Sequence, residues 1–151
     1  VRNIKITNST MSNLAVGLAA TKGPDPVSVT IENCTFAYCI QNGKYFIDFN
    51  KKAAKTIEIS NCLFGVSGAT TKALAPLMAW RGNTAPQVID LFFTKDFEWA
   101  SNEDGSPVSM FDGTTISTDM AGTFKSPLTS DFTIVNTVDF KISKPGDQRW
   151  Y

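Results

Sequence analysis

The sequence predicts an all-β domain built as a parallel β-helix, a solenoid in which coils of short strands stack in parallel. Two observations support this prediction. A phrase recurs along the chain as "IKITNSTM" (4–11), "VTIENCTF" (29–36), "IEISNCLF" (57–64) and "PQVIDLFF" (86–93). Within each copy, apolar and polar residues alternate with the period of two that half-buried strands require. Repeats of this length are typical of stacked architectures, because a single copy cannot bury its own apolar face.

One column of the repeat is polar and anchors the alignment. It consists of Asn8, Asn33, Asn61 and Asp90, at spacings of 25, 28 and 29 residues. Equivalent residues of stacked coils lie about 4.8 Å apart, so we predict that these amides bond one another as a buried asparagine ladder. We interpret the four residues as structural. An ionised Asp90 cannot donate a hydrogen bond, so the ladder should weaken at that position.

The chain between the copies supplies the remaining strands of each predicted coil. Third strands are expected in "NLAVGLAA" (13–20), "KYFIDFN" (44–50) and "PLMAWRG" (76–82). The predicted boundaries are coils at about 1–26, 27–54, 55–84 and 85–125, followed by a C-terminal cap at 126–151. Trp150 and Tyr151 are expected to fold over the last open coil, since solenoids need covered ends. We expect little helix.

Length and charge limit the classes of protein. A chain of 151 residues with 42% hydrophobic residues has room for one domain. Its 14 basic residues equal its 14 acidic ones, which argues against a nucleic-acid partner. We expect the chain as given neither to span a membrane nor to carry a signal peptide. Since it begins within a strand-like phrase, we expect it to be the C-terminal part of a longer protein, and to be a monomer.

The cysteines and the lack of histidine exclude much ordinary enzymology. The chain has three cysteines and no histidine, which excludes Ser-His-Asp triads, Cys-His pairs and zinc fingers. Cys34 and Cys62 follow the anchor asparagine in consecutive copies and should be neighbours. A disulfide between them is geometrically possible, but two buried free thiols are favoured. Cys39 is interpreted as a small core residue.

The repeated phrases also resemble a known family. "IENCTF" and "ISNCLF", with "GKYFIDF" (43–49), "FFTKDF" (92–97) and the tail "SPLTSDFTI" to "GDQRW", are similar to pectate-lyase-like right-handed β-helices. The resemblance is to uncharacterised domains of Bacteroidetes cell-surface lipoproteins encoded near polysaccharide-utilization genes. It implies a right-handed β-helix at the outer-membrane surface or outside the cell, a lipid-anchored precursor with upstream domains, and a polysaccharide or oligosaccharide partner. Gln148 and Asp90 depart from the family pattern.

Candidate site residues lie on the third-strand face. Tyr45 and Trp80 could stack on sugar rings, while Asp48 and Arg81 could bind hydroxyl groups. Lys44 and Lys51 add charge to the same face, and Trp99 is a further aromatic candidate. The region 100–125, rich in Gly, Ser, Thr and Asp, is interpreted as a long excursion where function commonly lies.

Three functions remain open at this point. The leading hypothesis is a non-catalytic carbohydrate-binding or structural domain of a surface lipoprotein that captures polysaccharide. The second is the C-terminal part of a polysaccharide lyase or glycoside hydrolase acting on acidic glycans. Lyases of this fold use carboxylates with calcium and an Arg or Lys base, but no clustered Asp set is present, so we expect no metal or cofactor outside that alternative. The third is an architectural cap of a longer β-helix.

Overall fold

A computed structural model describes residues 3–15, 17–20, 28–40, 44–50, 54–68, 77–106, 108–140 and 143–151. These residues are mostly β, as the alternation predicted. The first six strands are β1 (Asn3–Ser12), β2 (Ala19–Ala20), β3 (Ser28–Ala37), β4 (Tyr45–Asp48), β5 (Thr56–Ser60) and β6 (Leu63–Phe64). The next six are β7 (Met78–Arg81), β8 (Gln87–Ile89), β9 (Phe92–Phe93), β10 (Thr114–Thr115), β11 (Phe124–Ser126) and β12 (Asp131–Ile134).

Helical structure is sparse in the described ranges, as the sequence predicted. It consists of the four-residue helix α1 (Met120–Thr123) and 3₁₀ turns at Pro127–Thr129 and Gln148–Trp150. Asp119 caps α1, because its side chain accepts a hydrogen bond from the backbone N–H of Gly122. None of the helices described is long and apolar enough to cross a membrane.

Seven strands form one large sheet in which every pairing is parallel. Its order is β10-β9-β6-β3-β5-β8, and β1 also pairs with β3. The register pairs the columns of the sequence alignment directly. One column runs through Ile6, Ile31, Ile59 and Val88, and the other through Met11, Phe36, Phe64 and Phe93. The parallel pairing and the register predicted from the repeat are therefore confirmed.

The predicted architecture is nevertheless wrong: the domain is not a right-handed parallel β-helix. The large sheet is a half-barrel, accompanied by a three-stranded parallel sheet (β2-β4-β7) and an antiparallel pair (β11-β12). The repeat spacing determines which strands become neighbours, but it does not determine how a sheet curves or how many sheets accompany it. Beyond β10 the repeat gives way to α1 and the antiparallel pair, and none of the strands described there pairs in parallel.

The main hydrophobic core lies between the large sheet and the three-stranded sheet. Phe46 of β4 packs edge-on against Phe36 and Phe64, with ring centroids 4.8 and 5.3 Å apart. All three rings are at most 1% exposed. Burying a phenylalanine side chain contributes roughly 1.5 to 3 kcal/mol, so these contacts hold β4 firmly against the large sheet. Since β4 carries two of the candidate site residues, the core also positions the site.

A second hydrophobic cluster covers the opposite face of the large sheet. Leu63 belongs to it, whereas the next residue, Phe64, points into the main core. This alternation is the period of two expected for a strand. The buried members are Ala37, Tyr38, Leu63, Val66, Ile116, Met120, Phe124, Phe132 and Phe140. Buried side chains between Ile116 and Phe140 therefore pack against the outside of the half-barrel.

The C-terminal segment lies along the first strands and not over the last one. The indole Nε1 of Trp150 donates to Thr10 Oγ1 on β1 at 2.6 Å. The backbone N–H of Gly146 donates to the carbonyl of Asn61 at 2.8 Å. The expectation that Trp150 and Tyr151 cover the last strand is corrected, because the Tyr151 hydroxyl donates locally to the carbonyl of Pro145 at 2.6 Å.

Candidate functional site

Strand pairing brings the four predicted carbohydrate-binding residues to one small sheet. Asp48 and Arg81 are register partners on β4 and β7, and Trp80 is paired with Ile47. Tyr45 begins β4. The four residues are far apart in sequence, and the parallel pairing of two short strands makes them neighbours. This arrangement depends on the Phe46 contacts that hold β4 in place.

Asp48 and Arg81 form a bidentate ion pair. Arg81 Nε donates to Asp48 Oδ1 at 2.9 Å, and Nη2 donates to Oδ2 at 2.7 Å. The side chains are 27% and 45% exposed, respectively. The hydrogen bonds from the guanidinium to Asp48 raise the pKa of Arg81 above its ordinary value. The guanidinium carbon lies 4.9 Å from the ring centroid of Tyr45, which is a cation–π distance. Arg81 is therefore oriented by two neighbours at once.

An open groove lies beside this pair. Its volume is about 560 Å³, and it is lined by Tyr45, Trp80, Arg81, Gly82, Val108, Ser109 and Met110. Val108 and Met110 are 43% and 44% exposed, which is unusual for large apolar side chains. The groove therefore combines two aromatic rings, two exposed apolar side chains and an ion pair at its edge.

The segment 108–110 closes one side of the groove. Ser109 attaches it to β7: its carbonyl accepts from the N–H of Ala79 at 3.1 Å, and its hydroxyl donates to the carbonyl of Trp80 at 3.0 Å. The sequence had suggested the third-strand face and the region 100–125 as separate candidate sites. The structure joins them in a single groove. Sequence reasoning did not single out Val108 and Met110, although their alternation around Ser109 is a short strand-like signal.

The other described residues that the sequence suggested for this site do not line the groove. Trp99 is half-buried and packs edge-on against Phe93, Phe97 and Phe111, with centroids 5.5, 4.9 and 5.7 Å apart. Its ring packs in the core, so its face is not available to stack on a sugar ring. Lys44 is exposed just before β4, and its carbonyl accepts from the N–H of Met78. Lys51 lies outside the described residues.

The anchor residues lie at sharp bends of the backbone. Asn8, Asn33, Asn61 and Asp90 have φ angles of 47°, 53°, 49° and 53°, a left-handed conformation that Asn and Asp tolerate better than most residues. Asn33 Nδ2 donates to Asn8 Oδ1 at 3.2 Å, and Asn61 Nδ2 donates to Asn33 Oδ1 at 2.7 Å. The expectation that the column is buried is corrected: Asn33 and Asn61 are half-buried, whereas Asn8 and Asp90 are exposed.

The three cysteines are buried and form no disulfide bond. Cys34 and Cys62 are neighbours, and the hydrogen bond between their thiols, together with burial, holds the pKa of Cys62 well above its ordinary value. Burial raises the pKa of Cys39 to about 11. Thiols that stay protonated near neutral pH are poor nucleophiles, so Cys39 and Cys62 are packing residues. The hydrogen bond with Cys62 instead lowers the pKa of the Cys34 thiol. Within the described ranges, no group of three or more His, Cys, Asp or Glu side chains is placed to hold a metal ion.

Comparison with known proteins places the chain in a family. Residues 29–150 match the sequence model of DUF5123, a domain of unknown function. This match covers most of the chain, so the protein belongs to the DUF5123 family. No curated protein and no solved structure matches it.

Proposed function

We propose that the domain binds carbohydrate without catalysis, through the groove between β4, β7 and residues 108–110. The observation that supports this proposal is the presence of Tyr45 and Trp80 in a groove beside the Asp48–Arg81 pair. Sugar rings present CH groups that stack on flat aromatic side chains, and their hydroxyls bond charged neighbours. Met110 adds apolar surface that a bound sugar would cover.

The ion pair favours neutral sugars over acidic ones. Asp48 neutralises Arg81 and occupies two of its donors, so little positive charge remains to attract a carboxylate. The pair can still bond hydroxyls, because the guanidinium has further N–H groups. An open groove buries little of a ligand, so we expect a dissociation constant on the order of micromolar to millimolar. No metal or cofactor is needed for such binding.

The place of the domain in the cell follows from the family resemblance. We infer a surface lipoprotein that captures polysaccharide, with upstream domains and a lipid anchor on the precursor, located outside the cell or at the outer membrane. The tandem phrases "IENCTF" and "ISNCLF" support this inference. The N-terminal sequence of the full gene product tests it: a lipoprotein signal ending in cysteine is the expected result, and a cytoplasmic start without any export signal would contradict it.

Titration calorimetry with a panel of neutral and acidic oligosaccharides tests the binding proposal. We expect neutral oligosaccharides to bind the wild type and to lose most of their affinity for Trp80→Ala. Ile89→Ala is the matched control, because Ile89 is 63% exposed and is absent from the groove lining. Binding that is unchanged in Trp80→Ala would place the site elsewhere. No binding across the whole panel would favour an architectural domain.

A further inference from the structure

A second cavity of about 410 Å³ lies on the outer side of the half-barrel. It forms where the turn after β3, the loop after β9, the start of α1 and the 3₁₀ turn at Pro127–Thr129 meet. Its described lining consists of Tyr38, Asp96, Asp119, Met120, Ala121, Ser126, Pro127, Leu128 and Thr129. None of the residues of the binding groove described above lines this cavity.

Tyr38 contributes a hydroxyl group to this cavity. The residue is only 8% exposed, and its ring packs in the second hydrophobic cluster. Its backbone N–H donates to Val66, whereas its hydroxyl is accessible and makes no hydrogen bond with another described residue. A tyrosine hydroxyl can both donate and accept a hydrogen bond. Since Tyr38 lines the cavity, a ligand in the cavity can supply a partner.

Two carboxylates face the same space with spare acceptor capacity. The oxygens of Asp96 accept from the backbone N–H of Met120, at 3.1 and 3.2 Å. Asp119 Oδ1 accepts from Gly122 N–H at 2.7 Å. A carboxylate has about four lone-pair sites, so both groups can accept more. No basic side chain occurs among the described lining residues, and the charge of the cavity is therefore negative.

The Tyr38 hydroxyl stays protonated beside these carboxylates. Burial, assisted by the negative charge of Asp96, raises the pKa of the Tyr38 hydroxyl above its ordinary value. The phenol therefore stays protonated and can donate to a ligand or accept from one. Next to these polar groups lies apolar surface: Met120 is buried, and Leu128 is 71% exposed at the rim. An occupant with an apolar or ring-shaped body would cover Leu128.

We propose that this cavity binds small ligands that carry a primary ammonium group on an aliphatic or sugar body. The ammonium lies between Asp96 and Asp119 and neutralises their charge, the Tyr38 hydroxyl bonds the ligand, and the body of the ligand packs on Leu128. An ammonium group has three donors, which matches two carboxylates and one phenol oxygen. This proposal is independent of the carbohydrate groove, because the two sites share no described lining residue.

The test uses matched pairs of probes that differ in charge. Glucosamine is compared with glucose, and n-butylammonium with n-butanol, by titration calorimetry at neutral pH. We expect at least one ammonium compound to bind, its neutral match to bind at least tenfold more weakly, and added salt to weaken the binding. The two pairs distinguish an amino sugar from an aliphatic amine such as a lysine side chain. Equal binding of the charged and neutral probes, or no binding of either ammonium compound, would overturn the proposal.

Two variants separate this site from general effects on folding. Tyr38→Phe keeps the ring in its cluster and removes only the hydroxyl, and we expect it to weaken ammonium binding about five- to tenfold. Ile89→Ala, at an exposed residue that lines neither cavity, should leave ammonium binding unchanged. A thermal melting curve of Tyr38→Phe serves as the control for folding. Unaltered affinity in a folded Tyr38→Phe, or lost affinity in Ile89→Ala, would contradict the assignment.

Discussion

Arg81 donates two hydrogen bonds to the carboxylate of Asp48, its register partner on the neighbouring strand, at 2.9 and 2.7 Å. Bidentate pairs of this kind fix the plane of the guanidinium as well as its position. Asp48 Oδ1 also accepts from the backbone N–H of Asn50 at 2.8 Å, which orients the carboxylate. The pair is therefore built to hold a fixed geometry at the edge of the groove.

Because Arg81 is paired with Asp48, we predict that the domain is not a polysaccharide lyase. A lyase needs an unprotonated base, whereas the hydrogen bonds to Asp48 raise the pKa of Arg81. We therefore expect no elimination activity when the domain is incubated with acidic polysaccharides and calcium. Ultraviolet absorbance of unsaturated products is the measurement. A steady rise in absorbance that Arg81→Ala abolishes would show that the domain is a lyase.

Replacing Asn33 should destabilise the domain. Asn33→Leu removes the partner of the Asn61 amide and puts a bulky residue at a φ of 53°. Leaving a polar group unsatisfied costs about 1 to 3 kcal/mol, and the left-handed backbone adds about 1 to 2 kcal/mol for a leucine. Urea unfolding measures the change. Asn33→Gly separates the two effects, since glycine accepts this φ; if both variants were as stable as the wild type, the amide contacts would carry no stability.

Gly146 should be intolerant of a side chain. Its φ is +87°, and an added Cβ would lie 2.5 Å from Thr35 Oγ1. Gly105 is the matched control, because its φ is +83° but a Cβ there meets nothing within 4 Å. Gly105→Ala should therefore cost about 1 kcal/mol from the backbone alone, and Gly146→Ala clearly more. Equal midpoints of urea unfolding for the two variants would mean that the C-terminal segment is not held against β3.

The stability of the domain should fall in acid through Asp147. The carboxylate is 1% exposed; its burial raises its pKa, but hydrogen bonds from Arg149 and Thr10 outweigh burial and lower the pKa below its ordinary value. Since the unfolded value is about 3.9, this stabilisation is present above about pH 4 and is lost as the pH falls through the lower folded value.

Comparison with Asp147→Asn measures this effect. The variant should be less stable than the wild type at pH 7, and the difference in free energy of unfolding should shrink toward pH 3. Asp104→Asn is the control, because Asp104 is exposed and its pKa is lowered by local hydrogen bonds, chiefly with Ser106, so its effect should be small at either pH. A difference for Asp147→Asn that stays constant with pH would refute the prediction.

The local part of the fold was predictable because neighbouring strands carry matching residues. The column from Ile31 to Ile59 and the column from Phe36 to Phe64 gave the strand pairs and their register, which are local consequences of alternation. The curvature of the sheet was not predictable in the same way. It depends on packing across the core, such as Phe46 against Phe36, and this contact has no period in the sequence.

The candidate sites were likewise predictable on the strands but not in the irregular segments. Tyr45, Asp48, Trp80 and Arg81 were found because they sit on strands whose neighbours could be aligned. Val108 and Met110 come from an irregular segment, and the cavity at Tyr38 is built from four separate parts of the chain. Contacts between irregular segments depend on the final packing, which a pattern of alternation does not encode.

The position of the C-terminal segment has a consequence for the order of folding. Trp150 bonds Thr10 across 140 residues of sequence, and the Asp147 N–H bonds Thr35 across 112. Contacts this distant in sequence form slowly, because a long loop must close before they are made. During synthesis, β1 is made before the other strands of the domain, and its C-terminal partners are made last. Until residues 147–150 have been made, Thr10 on β1 lacks its contacts with them, so this part of β1 stays uncovered in the nascent domain.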